Sequence, residues 1–209
     1  MKTKVNYLLL FTLLFSPITA LSEEQVDAVE QNKQHAALAQ KVEGYLNNIT
    51  SFQASFEQVI PGQPISTGMF YLQRPRKFLW QYNVPHAQKL VSNGKHLYFY
   101  DEESEQVTQL PLNSGIGGLL TAKKLQLQND KVALKSLTEE GAFIKAVLSP
   151  KGEDHTVSFV FHKQPALQLV KLITTDELGS EIHVGFSQIK EKIVIDQDVF
   201  SFEPEADEF

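Results

Sequence analysis

Residues 67–101 read TGMFYLQRPRKFLWQYNVPHAQKLVSNGKHLYFYD, and this stretch decides the fold. Thr67–Gln73, Lys77–Tyr82, Ala87–Ser92 and Lys95–Asp101 are runs of strand length, parted by short gaps rich in turn residues. Pro75 stops the first run, because it fixes φ and has no N–H to give to a ladder. Asn93-Gly94 signals a hairpin, expected as a type I′ turn with positive φ at both central positions. Alternation at period two puts Phe78, Trp80 and Tyr82 on one face, and Trp80 is the only tryptophan in the chain. Arg74 then sits at a strand end beside an aromatic wall. An isolated pattern of this kind is ordinarily a core strand with a solvated basic rim. What the rest of the chain can lay over the wall decides otherwise.

Upstream, Leu38, Val42, Tyr45, Leu46 and Ile49 form one apolar stripe of an amphipathic helix ending near Asn47-Asn48, preceded by a polar, acidic lead-in from Glu23 to Gln34. The period then changes to two: Phe52, Ala54 and Phe56 alternate with polar residues as a half-buried strand. Downstream, Gln106–Leu110, Val132–Leu137, Ala142–Leu148, Thr156–His162, Leu167–Thr174 and Glu181–Gln188 continue the series, and a last short strand is expected at Phe200–Phe202. Leu110–Lys124 breaks the pattern. Its Gly115-Ile116-Gly117-Gly118-Leu119-Leu120 is too glycine-rich for a regular strand and too apolar for a free loop, which predicts a short helix or flap on apolar surface.

About a dozen antiparallel strands with so few helices make an up-and-down meander. A long twisted meander curls, so it closes, splits into two sheets, or leaves a concave face to be covered. One helix and one flap are too little to fill that concavity. Either side chains fill a closed barrel, or an apolar cavity remains, with Phe52, Phe56, Phe70, Phe78, Trp80, Leu97 and Phe99 large enough to line it.

Lys2 and Lys4 precede an apolar run from Val5 to Phe15 and then small residues, which reads as a secretory signal peptide over 1–22 with cleavage after Ala20 or Ser22. Residues 23–209 are expected to form a single exported domain. The absence of cysteine excludes a disulfide framework and a lipid-modified N-terminal cysteine. The whole chain carries a formal charge of −6. Without Lys2 and Lys4, 17 of the 19 basic residues face 25 acidic ones, a charge near −8. Bulk charge of that sign does not draw nucleic acid or an anionic membrane.

Motifs for chemistry are sparse. The six histidines show no ligand spacing, so no metal and no cofactor are expected. Gly115-Ile116-Gly117-Gly118 lacks the Lys-Ser/Thr of a phosphate loop, and no nucleophile elbow is present. The carboxylates, Asp101-Glu102-Glu103 and Glu139-Glu140 among them, fall in turns, where solvation is the ordinary reading.

Arg74-Pro75-x-x-Phe78-x-Trp80 resembles the periplasmic outer-membrane lipoprotein carrier family, LolA. Ile49 to Gln58 looks like the family's first strand, Leu90 to Tyr100 like its V-S-D-G-K-x-L-W-x-Y hairpin, and Phe200-Ser201-Phe202-Glu203-Pro204 like its closing F-x-F-x-P. The resemblance implies a mainly β fold with an α lid: an unclosed antiparallel β-barrel of about 11–12 strands, covered by a few helices and enclosing an apolar cavity. It implies a monomeric, non-enzymatic periplasmic carrier that shields the acyl chains of lipoproteins. An inner-membrane ABC transporter would be the donor and an outer-membrane receptor the acceptor. Phe78 and Trp80 match family cavity positions. Arg74 matches the lid arginine, which would bond lid carbonyls, with the lid over Ile116–Ala122 and its apolar residues Ile116, Leu119 and Leu120. The family commonly continues past its closing strand with P-P-x-G-V-x-V, whereas this sequence has an acidic stretch there. A paralogue carrying another lipid, a glycolipid or an acylated pigment precursor would keep the cavity. A secreted hydrolase using Asp101 or Glu140, and a filled barrel serving as an interaction module, are the readings from other classes.

Overall fold

The computed structural model describes residues 23–85, 87–112, 118, 119 and 122–202. The chain divides into two compact units, Met1–Gln34 and His35–Phe209. The described part of the first is helical, with Glu30 to Gln34 exposed. The polar lead-in is thus the start of α1 (Glu23–Asn48), whose apolar stripe begins only at Leu38.

Among the described residues of the second unit, eleven strands form one sheet. They are β1 (Ser51–Val59), β2 (Ser66–Gln73), β3 (Lys77–Tyr82), β4 (Gln88–Asn93), β5 (Leu97–Asp101), β6 (Gln106–Leu110), β7 (Val132–Glu140), β8 (Phe143–Pro150), β9 (Thr156–His162), β10 (Gln168–Thr175) and β11 (Glu181–Glu191). Their order is β6-β5-β4-β3-β2-β1-β11-β10-β9-β8-β7, antiparallel throughout. The chain therefore starts at the middle of the sheet, winds out to one edge, and crosses to the other edge through residues 111–131. It then winds back until β11 pairs with β1. Among the described residues, strands β6 and β7 each have one neighbour, so the sheet is unclosed, as expected.

The two faces are covered differently. The inner face carries Phe52, Phe56, Phe70, Phe78, Trp80, Phe159, Phe161 and Phe186, together with Val42 and Leu46 of α1, Ile49 just beyond it, and Leu112, Leu119, Leu125 and Leu127 of the crossover. The outer face of β3 to β5 carries Leu79, Val91 and Tyr98, packed against Ile195 and Phe200. Each such side chain, fully buried, is worth roughly 1.5–3 kcal/mol.

Two local expectations are corrected. Phe200–Phe202 is not a strand: a 3-10 turn, Gln197–Phe200, stands there instead, with the Asp196 carboxylate accepting from the Asp198 N–H at 3.1 Å. Phe200, in the capped turn, and Phe202, just past it, both pack on the outer face without extending a ladder. The Asn93-Gly94 hairpin exists, but its central residues are Gly94 and Lys95, because Ser92 pairs with Leu97 and the Asn93 N–H donates to His96 O. Only Gly94 has positive φ, at 96°, the requirement of a type II′ turn. Asn93 serves from the strand end, its Oδ1 accepting from the N–H groups of Lys95 and His96.

Candidate functional site

The aromatic wall is built from alternate positions of neighbouring strands. Register places Phe70 opposite Trp80 and Phe56 opposite Phe186, so four strands aim their rings at one place. Trp80 lies 4.9 Å from Phe70, 5.3 Å from Phe56 and 6.4 Å from Phe186, centroid to centroid, and Phe52 lies 5.5 Å from Phe186. Gly68 makes this possible. A Cβ there would stand 2.7 Å from the Phe56 ring and 2.0 Å from Gln81 O, so the Phe56 ring occupies the space a side chain would take.

Beside the wall lies a cavity of about 250 Å³, lined by Gln58, Trp80, Tyr82, Gln88, Leu90, Phe99, Leu172, Thr174, Ile182 and Val184. Most of these residues are half-buried, so the space communicates with solvent. They gather at the end of the sheet that carries the β1–β2, β3–β4, β5–β6 and β10–β11 turns. The polar groups at this mouth are paired: Tyr82 donates to Gln58 Oε1 at 2.9 Å, and Gln88 donates to Asp101 Oδ2 at 2.8 Å. Burial pushes the Tyr82 phenol upward, against smaller opposing effects of Gln58 and Trp80. Tyr82 feels the indole without aligning as its acceptor: Trp80 Nε1 is the only buried side-chain nitrogen or oxygen lacking a hydrogen bond among the described residues. A larger cleft of about 660 Å³ lies near the β8–β9 turn, but Lys135, Lys151, Glu153, Asp154 and Glu177 line it. Apolar walls, rather than size, single out the smaller cavity as a site for hydrocarbon.

The cover over the inner face is tied down by hydrogen bonds. Sequence leaves the last turn of α1 without a basic residue. Arg74, in the β2–β3 turn, supplies one: Nη1 donates to Leu46 O, satisfying a C-terminal carbonyl and complementing the helix dipole. Burial pushes the Arg74 guanidinium below its ordinary value. The Tyr45 hydroxyl donates to Glu191 Oε1 and accepts from the Leu169 N–H at 2.7 Å, which joins α1 to β10 and β11. Asn47 holds the crossover with both ends of its amide: Nδ2 donates to Leu125 O and Oδ1 accepts from the Leu125 N–H, each at 2.8 Å. Glu43 Oε1 accepts from the Leu127 N–H at 2.8 Å. The last two turns of α1 and residues 125–127 therefore form one hydrogen-bonded cover.

Among the residues expected to line a cavity, Trp80 and Phe99 do so. Phe52, Phe56, Phe70, Phe78 and Leu97 are buried in the cluster on the same face. Arg74 meets a carbonyl of α1. Leu119 is buried against the inner-face core, whereas Ile116 and Leu120 lie outside the described residues. Asp101 and Glu140 are not brought together: β5 lies next to one edge of the sheet and β7 forms the other. Asp101 instead accepts from Gln88 and from the N–H groups of Glu103 and Ser104, which hold its carboxyl below the usual range. The sequence reading missed Leu172, Thr174, Ile182 and Val184, which period-two alternation on β10 and β11 could have placed on the inner face. It also missed Asn47 and Glu43, whose partners lie 78 and 84 residues away. No helix among the described residues is long and apolar enough to cross a membrane.

Comparison with known proteins adds the following. A family described as outer membrane lipoprotein carrier protein LolA matches residues 47–203. An outer-membrane lipoprotein carrier protein of Methylococcus capsulatus is 33% identical over 79% of this chain and 83% of its own length. A protein of the same name from Chromobacterium violaceum is 28% identical over 82% and 85%, and one from Coxiella burnetii is 29% identical over 94% and 92%.

Proposed function

The chain belongs to the outer-membrane lipoprotein carrier family, LolA, and on that premise we propose that it carries lipoproteins through the periplasm with their acyl chains held on the inner face of the sheet. The observation that carries this reading is the apolar cavity between Trp80, Leu90, Phe99, Leu172 and Val184, on the inner face whose opposite end carries a cover pinned by hydrogen bonds. The leader-like residues 1–22 support export, and residues 23–209 are the carrier part. An ABC transporter in the inner membrane is the donor and an outer-membrane receptor the acceptor. No chemical step is required of the protein.

The energetics favour carriage by shielding. Each hidden CH₂ is worth about 0.8 kcal/mol, so an acyl chain of about fifteen methylenes needs cover worth about 12 kcal/mol. The resting cavity, about 250 Å³, is below the ~300–1,000 Å³ typical of small-molecule sites. Loading therefore displaces part of the cover, and release requires that the open and closed states differ by only a few kcal/mol. Arg74, acting on the helix end, is the lock in this scheme.

Binding of a hydrophobic fluorescent probe, read through Trp80, tests the proposal. Probe binding that an acylated lipoprotein displaces is expected. A protein that binds no probe, or one whose probe is displaced by phospholipid but never by lipoprotein, sinks it.

A further inference from the structure

The two edges of the sheet, unpaired among the described residues, are built differently. Strand β7 is protected: it has a bulge between Leu134 and Ser136, and it carries Lys135, Glu139 and Glu140. Its Glu139 is further tied to Lys163 at 2.6 Å. Such devices keep an edge from pairing with another chain. Strand β6, Gln-Val-Thr-Gln-Leu, has no charge, no proline and no bulge against β5, and Thr108, Gln109 and Leu110 are exposed.

Position separates the edges as well. Phe99 of β5 lines the cavity and pairs with Thr108 of β6. A strand added to β6 would lie about 10 Å from β5, at ~4.8 Å per strand. At the other edge, an added strand would lie about 19 Å from β10, the cavity wall on that side. Register also puts Gln106, Thr108 and Leu110 on the same face as Asp101, Phe99 and Leu97. Leu97 is 4% exposed, while Leu110, one strand farther out, is 36% exposed. Among the described residues, the inner face therefore runs out past β5 without cover.

From this asymmetry we infer that β6 receives an extended polypeptide as an added strand, and that the occupant is the peptide segment next to the acylated end of the cargo. The inference rests on the carrier reading. A chain whose acyl groups lie beside Phe99 must leave the cavity as extended polypeptide, and about three residues at ~3.3 Å each reach the free edge of β6. Ladder hydrogen bonds to backbone are indifferent to side chains, so this mode suits cargoes of unrelated sequence.

Three probes separate the possibilities: tripalmitoylated cysteine alone, the same group on an eight-residue polar peptide, and that peptide with alternate amides N-methylated. The peptide is expected to tighten binding about tenfold, or 1.4 kcal/mol, in the range of one to three net hydrogen bonds, and N-methylation to abolish the gain. The chain has no cysteine, so Gln109→Cys and Thr138→Cys place single thiols on β6 and β7. A thiol on the third residue of the peptide should cross-link to the former at least tenfold more than to the latter. Equal affinity of all three probes, or equal cross-linking at both edges, overturns the inference and leaves the carrier reading standing. Failure of tripalmitoylated cysteine to bind at all is failure of the carrier reading. A ligand-free dimer that cross-links through Gln109→Cys would assign the edge to a second copy and overturn the inference.

Discussion

Replacing Asn47 by alanine loosens the cover at one defined point. The amide makes two hydrogen bonds to the backbone of Leu125, both at 2.8 Å, and a third from Nδ2 to Glu43 O within α1. The two that reach the crossover are worth about 0.5–1.5 kcal/mol each, or about 1–3 kcal/mol together. If they hold the closed state, Asn47→Ala raises the open fraction about 5- to 150-fold. Hydrophobic probes then bind more tightly by up to that factor, because apparent affinity scales with the competent fraction. Amide hydrogen exchange supplies the local readout. Leu125 and Leu127 should lose protection in proportion, while the paired strands β1 and β11 keep theirs. Unchanged exchange at Leu125 with unchanged probe affinity would refute the reasoning, since the bonds would then hold nothing. A uniform loss of protection across the sheet would refute it as well, by showing a global rather than local effect.

Three further outcomes follow from the packing. Gly68→Ala drives a methyl into Gln81 O and the Phe56 ring, and should cost about 1–3 kcal/mol in urea unfolding with a shift in Trp80 emission. Arg74→Met removes a charged donor from the end of α1 and should cost about 1.5–3 kcal/mol, with loss of exchange protection in the last turn of the helix. Burial first, and then the hydrogen bond to Glu191, hold the Tyr45 phenol well above its ordinary 10.0; burial also raises Tyr82. The folded chain thus keeps protons that the unfolded chain releases, so their contribution is complete below about pH 10 and falls as pH rises beyond it. Tyr45→Phe should flatten that alkaline decline, measured as the urea midpoint between about pH 9 and about pH 11; an unchanged slope would remove Tyr45 as its source.

The sheet was legible because its signals are local. Each strand is half-buried, so alternation such as Phe78-x-Trp80-x-Tyr82 reports the face directly, and Pro75 and Gly94 mark turns through φ alone. The outer-face cover was not legible. Phe200-x-Phe202 has the period of a strand, and only the Asp196 cap, which bends the chain, reveals the 3-10 turn. Cavity residues were legible in part. Large aromatics on the correct face were identifiable, but which of them border empty space depends on how rings stack across four strands, as Phe56 does over Gly68. The hydrogen bonds of Asn47 and Glu43 to the crossover carry no sequence signature, because polar residues in the last turns of a helix are ordinary and their partners are distant.

The route of the chain through the sheet sets the order in which it can assemble. Every neighbouring pair of strands but one is consecutive in sequence; the exception is β1 with β11, where Phe52 meets Glu191. Nine pairings close through hairpins or short loops, and the entropic cost of one large loop falls on the tenth. Because that cost grows only by about 0.6 kcal/mol per doubling of loop length, the long closure slows folding more than it weakens the folded state. Two meanders, β1 to β6 and β7 to β11, can therefore form separately, and the protein becomes a single sheet only when its first and last strands find each other.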